Sequence, residues 1–231
     1  MKTIKRWIAA LCLGFLGLCP QQVQAIDTST FYSQATQDEF VYTLLCKMLG
    51  VRDDGYYLEI GAYHPITINN TFFFEKNYNW KGVSIDISNE FEATWHSIRK
   101  NSLIIQDATQ VNYDAILASF PRVIDYLSLD IDSQYETVLQ RIPFNKYTFK
   151  VITMEHDFYR FGDLYRKRER EILSALGYYL LCPDVNMGGD AFEDWWIHPS
   201  AFPESEFVFL KSLNLNGKDY REMARILRSI P

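Results

Sequence analysis

Apolar positions along this chain switch between two spacings. From Gln37 to Leu49, the residues Phe40, Val41, Leu44, Leu45 and Met48 recur at helical intervals. The short apolar run Tyr56 to Ile60 reads as a strand. A helix-length segment, Asn70 to Asn77, separates it from a second run, Val83 to Ile85. The order then repeats. A helix over Glu90 to Arg99 precedes a strand over Leu103 to Ile105, and a helix over Tyr113 to Ser119 precedes a strand over Ile124 to Leu129. Next come a helix over Gln134 to Arg141, closed by Pro143, and a strand over Lys150 to Met154. A helix over Leu164 to Leu176 ends at Gly177, a good C-terminal cap, before the last strands, Tyr178 to Leu181 and Phe192 to Ile197. This alternation predicts an α/β fold with a mainly parallel seven-stranded sheet and helices on both faces, in one domain over residues 26–231.

Parallel strands joined by right-handed crossovers bring their C-termini to one edge, where ligands bind in such sheets. Glu59, Asp86, Asp107, Asp130 and Glu155 each fall at a predicted strand C-terminus. The first two runs read as the opening strands of a nucleotide-binding domain. Glu59 leads into a glycine turn at Gly61 and Ala62, where the missing Cβ lets an adenosine-type ligand approach the backbone. Asp86 ends the second strand, placed to accept hydrogen bonds from ribose hydroxyls.

The residues before the domain form a separate object. Lys2, Lys5 and Arg6 make a basic stretch, Trp7 to Leu18 an apolar one, and Val23-Gln-Ala25 a small-residue cleavage site. That order predicts a secretory signal peptide and an exported protein beginning at Ile26, or a membrane-anchored one if the segment is not cleaved. The formal net charge of −6 argues against nonspecific nucleic-acid binding, which needs a basic footprint. Cys46 and Cys182, the cysteines beyond the leader, cannot form a disulfide framework, and the sequence leaves open whether they pair.

Three further clusters carry candidate chemistry. Asp130-Ile-Asp132 follows the fourth strand. It can bind an acceptor or a metal beside the nucleotide-type ligand, or act as the paired-acid motif with which glycosyltransferases bind a divalent metal and a sugar nucleotide. Glu155-His156 follows the fifth strand. His156 is the general-base candidate because its ordinary pKa near ~6.5 suits removing a hydroxyl proton, with Glu155 orienting it or binding a metal. The basic run Tyr165 to Arg170 reads as a solvated helix face or as a contact for an anionic acceptor.

Several motifs occur in order: Ser33-Gln-Ala-Thr-Gln-Asp38, Leu58-Glu-Ile-Gly-Ala62, Asn69-Asn-Thr71, Trp80-Lys-Gly82, Asp125-Tyr-Leu-Ser-Leu-Asp130, Glu155-His156 and Phe192-Glu-Asp-Trp-Trp196. Together they resemble the FkbM-type S-adenosylmethionine-dependent methyltransferases, over about residues 32–198. Pro65 stands where the common methyltransferase turn has a further glycine. The resemblance implies a Rossmann-like methyltransferase fold, S-adenosylmethionine as methyl donor, and transfer to a hydroxyl of a glycan or secondary metabolite. It also implies that Asp107 meets the adenine amino group. The alternatives are a metal-dependent glycosyltransferase built on Asp130 and Asp132, or a binding domain without catalysis on the same fold.

Overall fold

The computed structural model describes residues 30–231. The leader expected over residues 1–25 lies outside the described residues. Seven strands form one sheet: β1 (Tyr56–Ile60), β2 (Lys81–Asp86), β3 (Ser102–Ile105), β4 (Val123–Leu129), β5 (Thr148–Glu155), β6 (Tyr179–Met187) and β7 (Asp190–Ile197). Their order is β3-β2-β1-β4-β5-β7-β6. Strands β1 to β5 pair in parallel, while β7 runs antiparallel to both β5 and β6. The seven-stranded α/β reading of the sequence therefore holds, and the last two strands add an antiparallel hairpin.

The sheet is buried on both faces, and the register shows why its strands read as continuous apolar runs. Tyr57, Tyr126 and Val151 are register neighbours in one core, and Leu58, Leu127 and Ile152 are their counterparts in the other. The Trp195-Trp196 pair splits between the same two cores, because successive strand residues point to opposite sides.

Helices α1 (Gln37–Val41) and α2 (Phe72–Tyr78) cover the first face, together with Leu210 of α8 (Glu204–Ser212) and Met223 and Leu227 of α9 (Tyr220–Ser229). The second face is covered by Tyr113 of α4 (Tyr113–Ile116), by α5 (Tyr135–Arg141), and by Leu173 of α7 (Asp163–Ala175). Two short helices complete the set, α3 (Glu92–Ile98) and α6 (Phe158–Phe161).

Differences from the predicted elements have local causes. The first helix begins as α1 but winds as a π-helix over Tyr42–Met48. Strand β6 runs well past Leu181, through Pro183, because it is the sheet edge, where a missing N–H costs no ladder bond. Its pairing with β7 shifts register around Cys182 and Val185. Cys46 and Cys182 are free, buried thiols, pushed up by burial.

Candidate active site

Backbone bonds carry the parallel strands one step past their ends and bring those ends together. Gly61 N donates to Ile85 O at 2.9 Å, Asp130 N to Ile60 O at 2.9 Å, and Gln106 N to Asp86 O at 2.9 Å. The edge so formed opens into a cleft of about 780 Å³, within the ~300–1,000 Å³ usual for small-molecule sites. Gly61, Asp86, Asp107, Asp130, Asp132 and Glu155 all line it.

Asp86 is half-buried at the end of β2. Its Oδ2 accepts from Tyr63 N at 2.7 Å and its Oδ1 from Ser88 N at 2.8 Å. Each oxygen keeps the capacity to accept a second hydrogen bond. Asp107 stands beyond β3, and its Oδ1 accepts from both Thr109 N (2.8 Å) and Thr109 Oγ1 (2.7 Å). Those bonds hold its carboxyl below the ordinary range. Ile87, 74% exposed, lies beside Asp86 and gives the wall an apolar surface.

Asp130 and Glu155 form a hydrogen-bonded carboxyl pair at the ends of β4 and β5. Burial and the Asp130 charge push Glu155 up to about 11, while Tyr135 Oη donates to its Oε2 at 2.7 Å. Asp130 is also raised, by burial first and then by neighbouring acids. Two carboxylates in contact cannot both ionise cheaply, so the pair holds one proton near neutrality, with Glu155 donating it to Asp130.

Three of the expected site residues take other places, and Gly61 reaches the cleft for another reason. Gly61 lines the cleft with φ of +86°, but a Cβ there would collide with the Asp130 carbonyl oxygen, so the close approach that demands glycine is to the neighbouring strand. The Gly61 and Ala62 amides both donate to Ile85 O, and Ala62 is buried rather than on the wall. Their N–H groups are therefore not available to a ligand.

Glu59 lies beneath the cleft. It accepts from Ser84 Oγ at 2.6 Å and Thr71 Oγ1 at 2.9 Å, in a network that Arg99 completes through Glu75 (2.7 Å), Tyr57 Oη (2.9 Å) and Thr71 Oγ1 (2.9 Å). Glu59 shares the buried face of β1 with Tyr57 and so points under α2 instead of into the opening.

His156 corrects the general-base expectation. It is 0% exposed and off the cleft wall; its Nδ1 accepts from Phe158 N at 3.1 Å, and its Nε2 faces Asp194 at 3.5 Å. A base must reach the proton it removes, and this ring is sealed behind β7.

The paired-acid motif does not assemble as a metal cradle. Asp132 is 92% exposed and its Oδ1 accepts from Arg160 at 3.4 Å. Among the described residues, the one trio of His, Cys, Asp or Glu with ligand atoms within 4.8 Å of one another is His156, Asp184 and Asp194. There Arg170 already occupies the cation position, 2.6 Å from Asp194 and 2.9 Å from Asp184.

The three arginines of the basic run Tyr165 to Arg170 are likewise engaged, while Lys167 is exposed. Arg166 pairs with Asp163 and Asp184, Arg168 with Glu136 and Glu171, and Arg170 with Asp184 and Asp194.

Sequence reading missed the loop residues Gln34, Tyr63, Ile68 and Gln134, which complete the walls. Tyr63, Ile68 and Gln134 have φ of 47°, 56° and 65°, a left-handed backbone rare for such side chains and common at functional sites. No composition signal marks that strain, because it is imposed by the loops' anchoring.

No protein-family sequence profile matches this chain, and no curated relative does. Solved structures do. A Clostridium thermocellum protein described as an rRNA-methylase is 13% identical, covers 73% of this chain and 97% of its own, and superposes with a TM-score of 0.53. Magnesium protoporphyrin IX methyltransferase from Synechocystis is 12% identical over 70% of this chain and 76% of its own, with a TM-score of 0.48. At these identities the likeness is one of fold: the chain has a Rossmann-like fold shared with methyltransferases.

Proposed function

We propose that the protein is an S-adenosylmethionine-dependent methyltransferase of FkbM type that methylates a hydroxyl of a glycan or secondary metabolite. The observation that carries this reading is the distribution of acids in one cleft: Asp86 and Asp107 at the ends of β2 and β3, and the Asp130–Glu155 pair at the ends of β4 and β5.

The residues present fit the donor. Asp86 has a free lone pair on each oxygen for the two ribose hydroxyls, and Asp107 has its Oδ2 free for the adenine amino group. Ile87 and Ala108 offer apolar surface to a purine face. When bound, S-adenosylmethionine supplies a sulfonium-activated methyl group.

The chain's own residues do the rest. Asp130 accepts the proton of the attacking hydroxyl, a role its raised pKa favours. Glu155 steadies Asp130 by donating its proton, and Tyr135 holds Glu155 in place from the buried side. The walls position the acceptor oxygen and exclude water. The glycosyltransferase alternative is disfavoured by Asp132, which turns to Arg160 instead of converging with Asp130 on a cation.

Calorimetry with S-adenosylhomocysteine, the demethylated product, tests the reading. Binding is expected, and Asp86→Ala should weaken it by about 1.5–3 kcal/mol, the range for hydrogen bonds to a charged group. Binding of a sugar nucleotide with manganese, and none of S-adenosylhomocysteine, would overturn it.

A further inference from the structure

We propose that the acceptor is a hydroxylated small molecule carrying a protonated amine, held by Asp132 while Asp130 takes the hydroxyl proton; this rests on the methyltransferase reading above. The ground is the charge of the walls. Five carboxyl residues line the cleft, and no lysine, arginine or histidine does among the described residues. An anionic acceptor needs a cation to receive it, and among the described residues none lines the cleft. The arginines of the Tyr165 to Arg170 run each face two carboxylates. Arg160, beside the cleft, divides one charge between Asp132 at 3.4 Å and Asp157 at 3.9 Å.

The two halves of the cleft differ in how far their acids are satisfied. Asp86 and Asp107 are fixed by backbone and hydroxyl donors within their own loops. Asp132 projects into solvent at the mouth with only the long Arg160 contact. Ser133, Gln134 and Thr137 continue its wall with neutral groups that donate to and accept from hydroxyls. A phosphate or carboxylate entering here would meet like charge, whereas an ammonium would meet Asp132 with the Asp130–Glu155 pair nearby.

This placement also directs the chemistry to oxygen. An ammonium held by Asp132 has no lone pair and cannot attack. The hydroxyl oxygen does: an O–C bond forms to the methyl carbon, the S–C bond breaks with its electron pair passing to sulfur, and the hydroxyl proton goes to Asp130.

Three matched sugars differing in one group (glucose, glucosamine and glucuronic acid) test the idea with the full chain and S-adenosylmethionine. Both methyl transfer and binding to the S-adenosylhomocysteine-loaded protein are read. The amine should exceed the neutral sugar, and the neutral sugar the acid, by about two- to fivefold at each step, as expected for unit charges a few ångströms apart close to bulk water. Added salt should compress those gaps, and Asp132→Asn should bring the amine-to-neutral ratio close to one. A preference for the acid, an order without regard to charge, or no response to any of the three would overturn the proposal. Failure to bind S-adenosylhomocysteine in the same samples would instead overturn the methyltransferase reading beneath it.

Discussion

Glu59 and Glu155 both stand at strand C-termini of one sheet, and burial raises both carboxyls, yet their surroundings are opposite. Glu59 is answered by the Arg99 charge and by the Ser84 and Thr71 hydroxyls. Glu155 is answered by another acid, Asp130, and by one tyrosine hydroxyl. The first arrangement spends its charges on holding β1, α2 and the α3–β3 connection together. The second leaves like charges crowded at an opening, which costs stability and yields a group ready to take a proton. A strand-end acid is therefore no functional assignment by itself; what decides is whether a cation or an open cleft faces it.

The sharpest way to break the comparison is Asp130→Asn. Turnover should fall by about 10²–10⁴-fold, as for loss of a general base, with S-adenosylhomocysteine binding retained. The thermal midpoint should hold or rise, because a like charge has been removed. Undiminished turnover would place the base elsewhere.

Arg99→Met attacks the other region. It leaves Glu75 buried without its cation, and should cost about 3–5 kcal/mol of stability in urea unfolding, the usual result of breaking a buried pair from one side. A loss no larger than that of a surface substitution would show that the network carries little of the fold.

The remaining expected effect is a pH dependence shared by the buried acids. Burial pushes Glu193 up from 4.5 to about 8 and Asp38 up from 3.8 to about 6. In that window the folded chain binds more protons than the unfolded one, so stability falls as pH rises from about 4 to about 8. Thermal midpoints at about pH 5 and about pH 8 should therefore favour the lower value. Asp194 shifts the other way, held low by Arg170 and His156 despite its burial, but its contribution changes only below its ordinary value of 3.8. A higher midpoint at the upper pH would contradict the burial of these carboxyls as neutral acids.

Much of the fold was legible in the chain. Apolar runs of strand length, separated by helical periodicity, located all seven strands, and Gly177 marked the end of the longest helix. The helices α6, α8 and α9 were not anticipated: α6 is one turn long, and the other two lie beyond the last strand, where alternation gives no guidance. Within the site, Asp86, Asp107, Asp130, Asp132 and Glu155 reached the cleft as strand-end positions suggest. His156 did not, because one residue beyond Glu155 the chain turns behind β7, where Phe192 O receives the His156 amide at 2.8 Å.

Which residues could stand at the sheet's C-terminal edge is readable from local side-chain order, since strand length and period are properties of consecutive residues. Which of those acids are neutralised and which face open space depends on how the elements pack. The charge that answers Glu59 is that of Arg99, forty positions away beyond the end of α3, and the acid that crowds Glu155 is Asp130 at the end of the adjacent strand. Electrostatic surroundings are set by distances across the fold, and no run of neighbouring residues encodes those distances.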